Sequence, residues 1–211
     1  MTNKMQQNIA TYFAEIQEVV AQLPIETINQ IVDILLESAS AGRKVFIFGN
    51  GGSASTASHF ACDLSKNTMV DNAPRFRVIA LNDNIPLITA WANDTAYDNI
   101  FAAQLSAFIE PGDVVIGISC SGNSGNVIKA MHVAHQHDAL TIALTGDKGG
   151  QLKDMVDVCV MAPTPRIEQQ EDIHLMLEHC ICANIRERLL QKYAPKLTWE
   201  PATHPSVSVN S

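Results

Sequence analysis

Apolar residues in this chain follow two rhythms, a helical one at the start and end and a strand-like one between. Ile9, Phe13, Ile16, Val20 and Leu23 recur at spacings of four and three, the seam of an amphipathic helix. Pro24 opens a second helix carrying Ile28, Ile31, Val32 and Leu35, and Gly42 ends it. Four short blocks of β-branched and apolar residues follow, Val45 to Phe48, Arg77 to Leu81, Val114 to Ile118 and Leu140 to Leu144, with a weaker fifth at Val156 to Val160. Helical patterns separate them. Strictly alternating strands and helices predict a parallel sheet covered by helices on both faces, an α/β three-layer sandwich with ligands held outside the carboxyl ends of the strands. A last helix is predicted from about Glu168 to Lys192, apolar on most of its circumference through Ile173, Leu175, Met176, Leu177, Ile181, Ile185 and Leu189. The expected organisation is one domain over 1–193, including a helical hairpin over about 1–42, then an extended or disordered tail over 194–211.

Two serine- and glycine-rich loops fall at the ligand-binding edge: Gly49-Asn50-Gly51-Gly52-Ser53 and Ser119-Cys120-Ser121-Gly122-Asn123-Ser124. Each follows a strand pattern and opens a helix. Glycine lets backbone N–H groups approach a ligand, the helix start adds unpaired N–H groups, and serine hydroxyls add donors without bulk. The expected ligand is small, anionic and rich in oxygen. Gly49, Gly51 and Ala54 also satisfy a dinucleotide fingerprint, but the acid at the next strand end, Asp83, lies well beyond the roughly 20 residues that fingerprint needs. No triphosphatase loop occurs, since Gly146-Asp147-Lys148 lacks the spacing.

Composition narrows the partners. A length of 211 residues with 46% apolar content suits a single compact domain. The net charge of -8 argues against direct binding to nucleic acid or anionic membrane, so a phosphate must be held by local dipoles. Apolar stretches are strand-length, and no signal peptide or membrane span is expected. Five cysteines (Cys62, Cys120, Cys159, Cys180 and Cys182) without C-x-x-C spacing fit reduced thiols in the cytoplasm.

Candidate chemistry lies on two helices. His59 and Asp63 are four apart, about 40° from each other around a helix, and form either a surface pair or part of a site. Glu171, His174, Glu178 and His179 interrupt the apolar last helix, where buried ionisable groups cost several kcal/mol unless paired or liganded. Should His59, Asp63, Glu171 and His179 converge, they suit a divalent metal such as zinc, or the division of labour between a general base and a general acid. His174 reads as a satisfied interface histidine, out of phase with His179. Asn93 and Asp94 either cap the next helix or face the ligand.

The Gly-Asn-Gly-Gly-Ser run, the His-Phe-Ala-x-Asp helix, Asn93-Asp94, the stretch from Ile118 to Ala130, Leu144-Thr-Gly-x-x-Gly-Gly150 and the final His-x4-His together resemble bacterial phosphoheptose isomerases of the sugar isomerase (SIS) domain family, over about residues 5–192. The resemblance implies a five-stranded parallel sheet of flavodoxin-like order and a homotetramer with sites made by more than one subunit. It implies an aldose–ketose isomerisation of sedoheptulose 7-phosphate through an enediol. Asp63 and His179 match the catalytic acid/base pair. The implied substrate-binding set is Asn50, Gly51, Gly52, Ser53, Asn93, Asp94, Ser119, Cys120, Ser121, Ser124 and Glu171. The implied zinc ligands are His59, Asp63, Glu171 and His179. Three departures stand out: Asp63 is one methylene shorter than the family's glutamate, Cys120 replaces a threonine, and Ser65-Lys66-Asn67 lacks the expected arginine. Two other readings remain: a non-catalytic regulator of the replication-initiator-associating type, which has lost the acid and the histidine, and an isomerase or binder of another phosphosugar.

Overall fold

A computed structural model describes residues 2–194, with side chains from Asn8 onward; the tail expected over 194–211 lies outside it from 195 on. Helices α1 (Thr2–Val20) and α2 (Ile25–Ser40) precede β1 (Lys44–Gly49), α3 (Gly52–Lys66), β2 (Arg77–Ala80), α4 (Ile85–Asp94), α5 (Ala102–Ser106) and β3 (Val114–Ser119). Then come α6 (Gly125–Gln136), β4 (Leu140–Thr145), β5 (Val158–Met161) and α7 (Ile167–Tyr193). All pairings in the five-stranded sheet are parallel, in the order β2-β1-β3-β4-β5, the flavodoxin-like arrangement.

The central strands are apolar in unbroken runs because both faces are covered. Val45, Ile47, Ile116, Ile118, Ile142 and Leu144 point to one side and pack with α2, α3 and α7 residues such as Leu35, Phe60 and Ile181. Phe46, Phe48, Val115 and Ala143 point to the other, against Phe101, Leu105, Val127 and Met131. Gly117 in β3 leaves the space that the Met131 side chain fills. The fifth strand starts two residues later than its apolar pattern suggested, since Met155 and Val156 complete a short 3₁₀ turn after Leu152.

The first helix differs from expectation in what its seam faces. Ile9 and Phe13 are 61% and 63% exposed, while Val19 is buried in the core among the described α1 side chains. Helix α7 is buried along one stripe through Ile173, Leu177, Ile181, Ile185 and Leu189 rather than around most of its circumference.

Strand order reverses between β1 and β3, which places a crevice at their carboxyl ends. Both serine loops leave the sheet there, one from Gly49 and one from Ser119.

Candidate functional site

Asn50, Ser53, Ser119, Cys120, Ser121, Ser124 and Glu171 line one cleft of about 240 Å3 at this switch point. The hydroxyl of Ser119 stands 3.1 Å from that of Ser124 and 3.4 Å from that of Ser121. The helices behind the loops are capped by Gly51 and Ser124, and neither cap residue bonds its own helix through a side chain. The N–H groups of Gly52, Ser53, Gly125 and Asn126 at the helix starts face an anion site, while the next ones, of Ala54 and Val127, are taken by Gly51 O and by Asn126 Oδ1. Gly51 (φ 56°) and Gly122 (φ 63°) occupy the left-handed region that favours glycine. At Gly122 a methyl group would also overlap the Gly149 carbonyl, since the two loops nest backbone to backbone. The larger cleft of the molecule, about 740 Å3, lies near the opposite edge, among Arg43, Gly112 and Asp138, away from these loops.

Asn50 is held by residues that no spacing pattern signalled. Asn126 and Asn50 exchange side-chain hydrogen bonds, Asn126 Nδ2 donating to Asn50 Oδ1 at 2.8 Å and Asn50 Nδ2 donating to Asn126 Oδ1 at 2.9 Å. The Tyr97 hydroxyl donates to the same Asn50 oxygen at 3.0 Å. Both lone-pair directions of that oxygen are used, so the amide orientation is fixed and one N–H of Asn50 remains.

Along α3, His59 lies six residues beyond Ser53, about 9 Å by helix rise, with Asp63 one turn further. His59 Nε2 stands 3.8 Å from Asp63 Oδ1, and the ring of His59 meets that of His179 edge-on at 4.8 Å between centroids. Asn67 Nδ2 donates to Asp63 Oδ1 at 2.6 Å. His59, Asp63 and His179 thus converge from α3 and α7 within a single chain.

Glu171 stands elsewhere. Its carboxylate lies flat against Gly52 at the start of α3, where any added methyl group would strike it, so it belongs to the serine cleft. The fourth donor within 4.8 Å of the others is instead Glu178, seven residues on and therefore on the same face two turns away. Its side chain is wholly buried and neither oxygen has a hydrogen-bond partner. Burial first, and then the negative charge of Asp63, push this carboxyl up to about 7. The same two carboxylates add to burial in raising the Cys182 thiol. Two imidazoles with two carboxylates suit a divalent transition metal, and an orphaned buried carboxylate is what such an ion would compensate.

Asn93 and Asp94 are not caps of the following helix. They are the last residues of α4, exposed, with Asn93 Nδ2 donating to Asp94 Oδ1 at 2.8 Å, and Asp94 lines a small hollow with Leu87 and Trp91 outside the serine cleft. His174 is buried, its Nε2 3.0 Å from the Thr145 carbonyl. A carbonyl only accepts, so Nε2 carries the proton and Nδ1, also buried, has no partner. Burial pushes this imidazole down against the opposing pull of the Thr145 carbonyl. Cys120 is half-buried, and burial followed by the Glu171 charge pushes its thiol up.

Residues 11–146 match the SIS domain family. A probable phosphoheptose isomerase of Thermoplasma acidophilum is 43% identical over 79% of this chain and 91% of that protein. The phosphoheptose isomerase of Shewanella denitrificans is 38% identical over 78% and 85%. The chain belongs to the SIS-domain family of phosphoheptose isomerases. Solved phosphoheptose isomerases superpose on this SIS domain closely. GmhA of Neisseria gonorrhoeae gives a TM-score of 0.79 at 35% identity, covering 87% of this chain and 99% of its own. The enzyme of Francisella tularensis gives 0.80 at 30%, covering 87% and 98%.

Proposed function

We propose that this protein interconverts a ketose phosphate and an aldose phosphate, with sedoheptulose 7-phosphate and D-glycero-D-manno-heptose 7-phosphate as the pair. The observation that carries this reading is the position of two kinds of site at the two ends of α3. A cradle of serines and helix N–H groups stands at the starts of α3 and α6, and about two to three turns along α3 His59 and Asp63 meet His179 of α7. That spacing suits a phosphate at one end of a substrate and reacting carbons at the other. Phosphate binding supplies remote interactions that orient the carbonyl end.

Asp63 acts as base. Its Oδ1 accepts from Asn67 and faces His59, which leaves Oδ2 to take the proton from the carbon beside the carbonyl. His179, half-exposed, moves the proton between the two substrate oxygens as the enediol forms and collapses. Asp63 then returns its proton to the neighbouring carbon, so the reaction is a net shift of hydrogen. His59, Asp63 and His179 are suited to hold a divalent metal such as zinc, which when bound supplies Lewis-acid polarisation of the carbonyl. Glu171, beside the cradle, accepts from sugar hydroxyls.

The assembly we propose is a homotetramer. Exposed Ile9, Phe13 and Val20 on α1, with Met176 and Leu190 on α7, support it, because such apolar surface is seldom left to water. We place the protein in the cytoplasm; the five free cysteines agree with a reducing compartment, and among the described residues no single helix is long and apolar enough to cross a membrane. The test is incubation of the pure protein with a panel of ketose and aldose phosphates, followed by NMR. A seven-carbon phosphate converting faster than shorter ones supports the assignment, and preference for a shorter sugar overturns it.

A further inference from the structure

We propose that His174 is a positioning residue for the isomerisation: its hydrogen bond to the end of β4 sets α7 in register with the phosphate cradle, and so fixes how far His179 stands from the bound phosphate. Its effect on turnover rests on the isomerase reading, while the register itself is read from contacts within the chain.

His174 is buried, yet only one of its two ring nitrogens is used. Nδ1 has no partner, a cost that a leucine of similar volume would avoid, and native interiors seldom keep such a group without a use. What the imidazole provides is one directed bond, from Nε2 to the Thr145 carbonyl at 3.0 Å, across 29 residues of sequence. Thr145 ends β4, so this bond joins α7 to the sheet. Among the described residues, the other side-chain hydrogen bonds between α7 and a distant element reach α1 and α2 instead: Gln169 with Glu15, Asp172 with Tyr12, and Arg188 with Asp33 and Asn29. The apolar stripe of Ile173, Leu177 and Ile181 holds α7 in place without fixing its height, because apolar contact is non-directional. A slide of one residue would move every α7 side chain by about 1.5 Å and turn it by about 100°.

The bond lands on the peptide that also serves the phosphate loop. The carbonyl of Thr145 and the N–H of Gly146 belong to one planar peptide group, and that N–H donates to the Cys120 carbonyl at 3.0 Å. A single rigid peptide therefore stands between His174 and the serine loop. Gln170, one turn before His174, presses on the same spot: a methyl group at Gly146 would lie 2.3 Å from its Oε1. His174 comes shortly after Glu171, which lines the serine cleft, and shortly before His179, which meets His59. It is the fixed point between the two ends of the site. The Thr145 carbonyl also accepts from Ala162 N at 2.8 Å, so loss of the imidazole leaves that oxygen partnered. The bond thus serves the helix more than the strand.

The experiment compares His174→Leu, His174→Gln and His174→Asn in the full chain. A glutamine amide reaches as far as Nε2 and can donate to Thr145, whereas asparagine is one methylene too short. His174→Leu is expected to melt no lower than wild type, since no buried group loses its last partner, and to bind inorganic phosphate as wild type does. Its kcat is expected to fall about 10- to 100-fold at nearly unchanged KM, the scale of a misplacement of about 1 Å. His174→Gln recovers kcat to within about threefold of wild type, and His174→Asn does not. Wild-type kcat in a folded His174→Leu overturns the proposal. Equal kcat in His174→Gln and His174→Asn overturns it as well, a comparison that stands even where His174→Leu does not fold. Parallel loss of phosphate affinity also overturns it, because His174 would then hold the cradle and not the helix. Histidine NMR adds a readout without turnover. The ring protons of His59, which feel the His179 ring 4.8 Å away, are expected to shift in His174→Leu and to return in His174→Gln. Unmoved signals overturn the positioning role even in an active enzyme. Signals that move and return in a protein converting no sugar phosphate sink the isomerase reading and keep the register.

Discussion

Asn50 and Asn126, 76 residues apart in sequence, face each other through two reciprocal amide hydrogen bonds across the mouth of the serine cleft. The pair ties the loop after β1 to the first turn of α6, so the two halves of the cradle hold one register. Replacing Asn126 with Ala frees Asn50 to rotate. KM for the sugar phosphate is expected to rise about three- to tenfold, the scale of one net hydrogen bond, with a smaller change in kcat. Tyr97→Phe removes only the bond from the phenol hydroxyl and should fall between that variant and wild type. Steady-state kinetics check both, and an unchanged KM in Asn126→Ala contradicts the positioning role.

Asp63→Asn and His179→Ala are each expected to cut kcat by about 10²–10⁴ while the chain stays folded and binds a phosphosugar with near-native affinity. The cradle lies at the starts of α3 and α6 and the acid and imidazole lie farther along α3 and on α7, which is why the two functions separate. Calorimetry with an unreactive sugar phosphate, beside the kinetics, is the check. Parallel loss of binding and turnover would place these groups in the cradle instead.

In the metal-free protein, stability should carry a slope from Glu178. Its folded carboxyl titrates at about 7, above the ordinary 4.5, so between those values the folded state holds more protons than the unfolded one. That contribution is intact below about 4.5 and is lost as pH rises through 7. His174 acts in the opposite sense, since its lowered folded value makes stability fall as pH drops below the ordinary 6.5. Denaturant titrations from pH 4.5 to 8 are expected to show wild type losing stability relative to Glu178→Gln as pH rises. Parallel profiles would mean that the carboxyl has its ordinary affinity for protons.

Gly122→Ala tests the nesting of the loops. The left-handed backbone at Gly122 and the Gly149 carbonyl against it leave no room for a methyl group. A cost of about 2–4 kcal/mol, or roughly 5–15 °C in Tm for a chain of this size, is expected together with weakened phosphate binding. Gly52→Ala should keep the fold, because there the obstacle is the movable end of Glu171, and should change KM alone. Thermal melts beside phosphate titrations distinguish the two.

The order of strands and helices was legible in the sequence because parallel strands buried on both faces announce themselves as unbroken apolar runs such as Val45 to Phe48. The two cradles were legible through glycine and serine placed between strand and helix. His59 and Asp63 could be paired from helical spacing and His179 picked out as an ionisable break in the apolar last helix, while their joint role came from the family resemblance. Other parts of the site could not be read from a one-dimensional pattern. Tyr97 and Asn126 reach Asn50 from 47 and 76 residues away, and no local spacing records that meeting. Glu171 and Glu178 share a face of α7, so periodicity gives them equal claim to the imidazoles; only the packing of α3 on α7 sets Glu171 against Gly52 and Glu178 against His59. The α1 seam was read as a stripe, but among the described residues nothing covers Phe13, which stays exposed.

In the proposed reaction, phosphate held at Ser119, Ser121 and Ser124 delivers the far end of a sugar to Asp63 and His179. NMR of sedoheptulose 7-phosphate incubated with the protein in deuterated water measures this most directly. The expected product is an aldoheptose 7-phosphate carrying solvent deuterium at the carbon beside its aldehyde, formed by wild type and absent with Asp63→Asn. A ketose that remains unconverted and unexchanged in the presence of wild-type protein would contradict it.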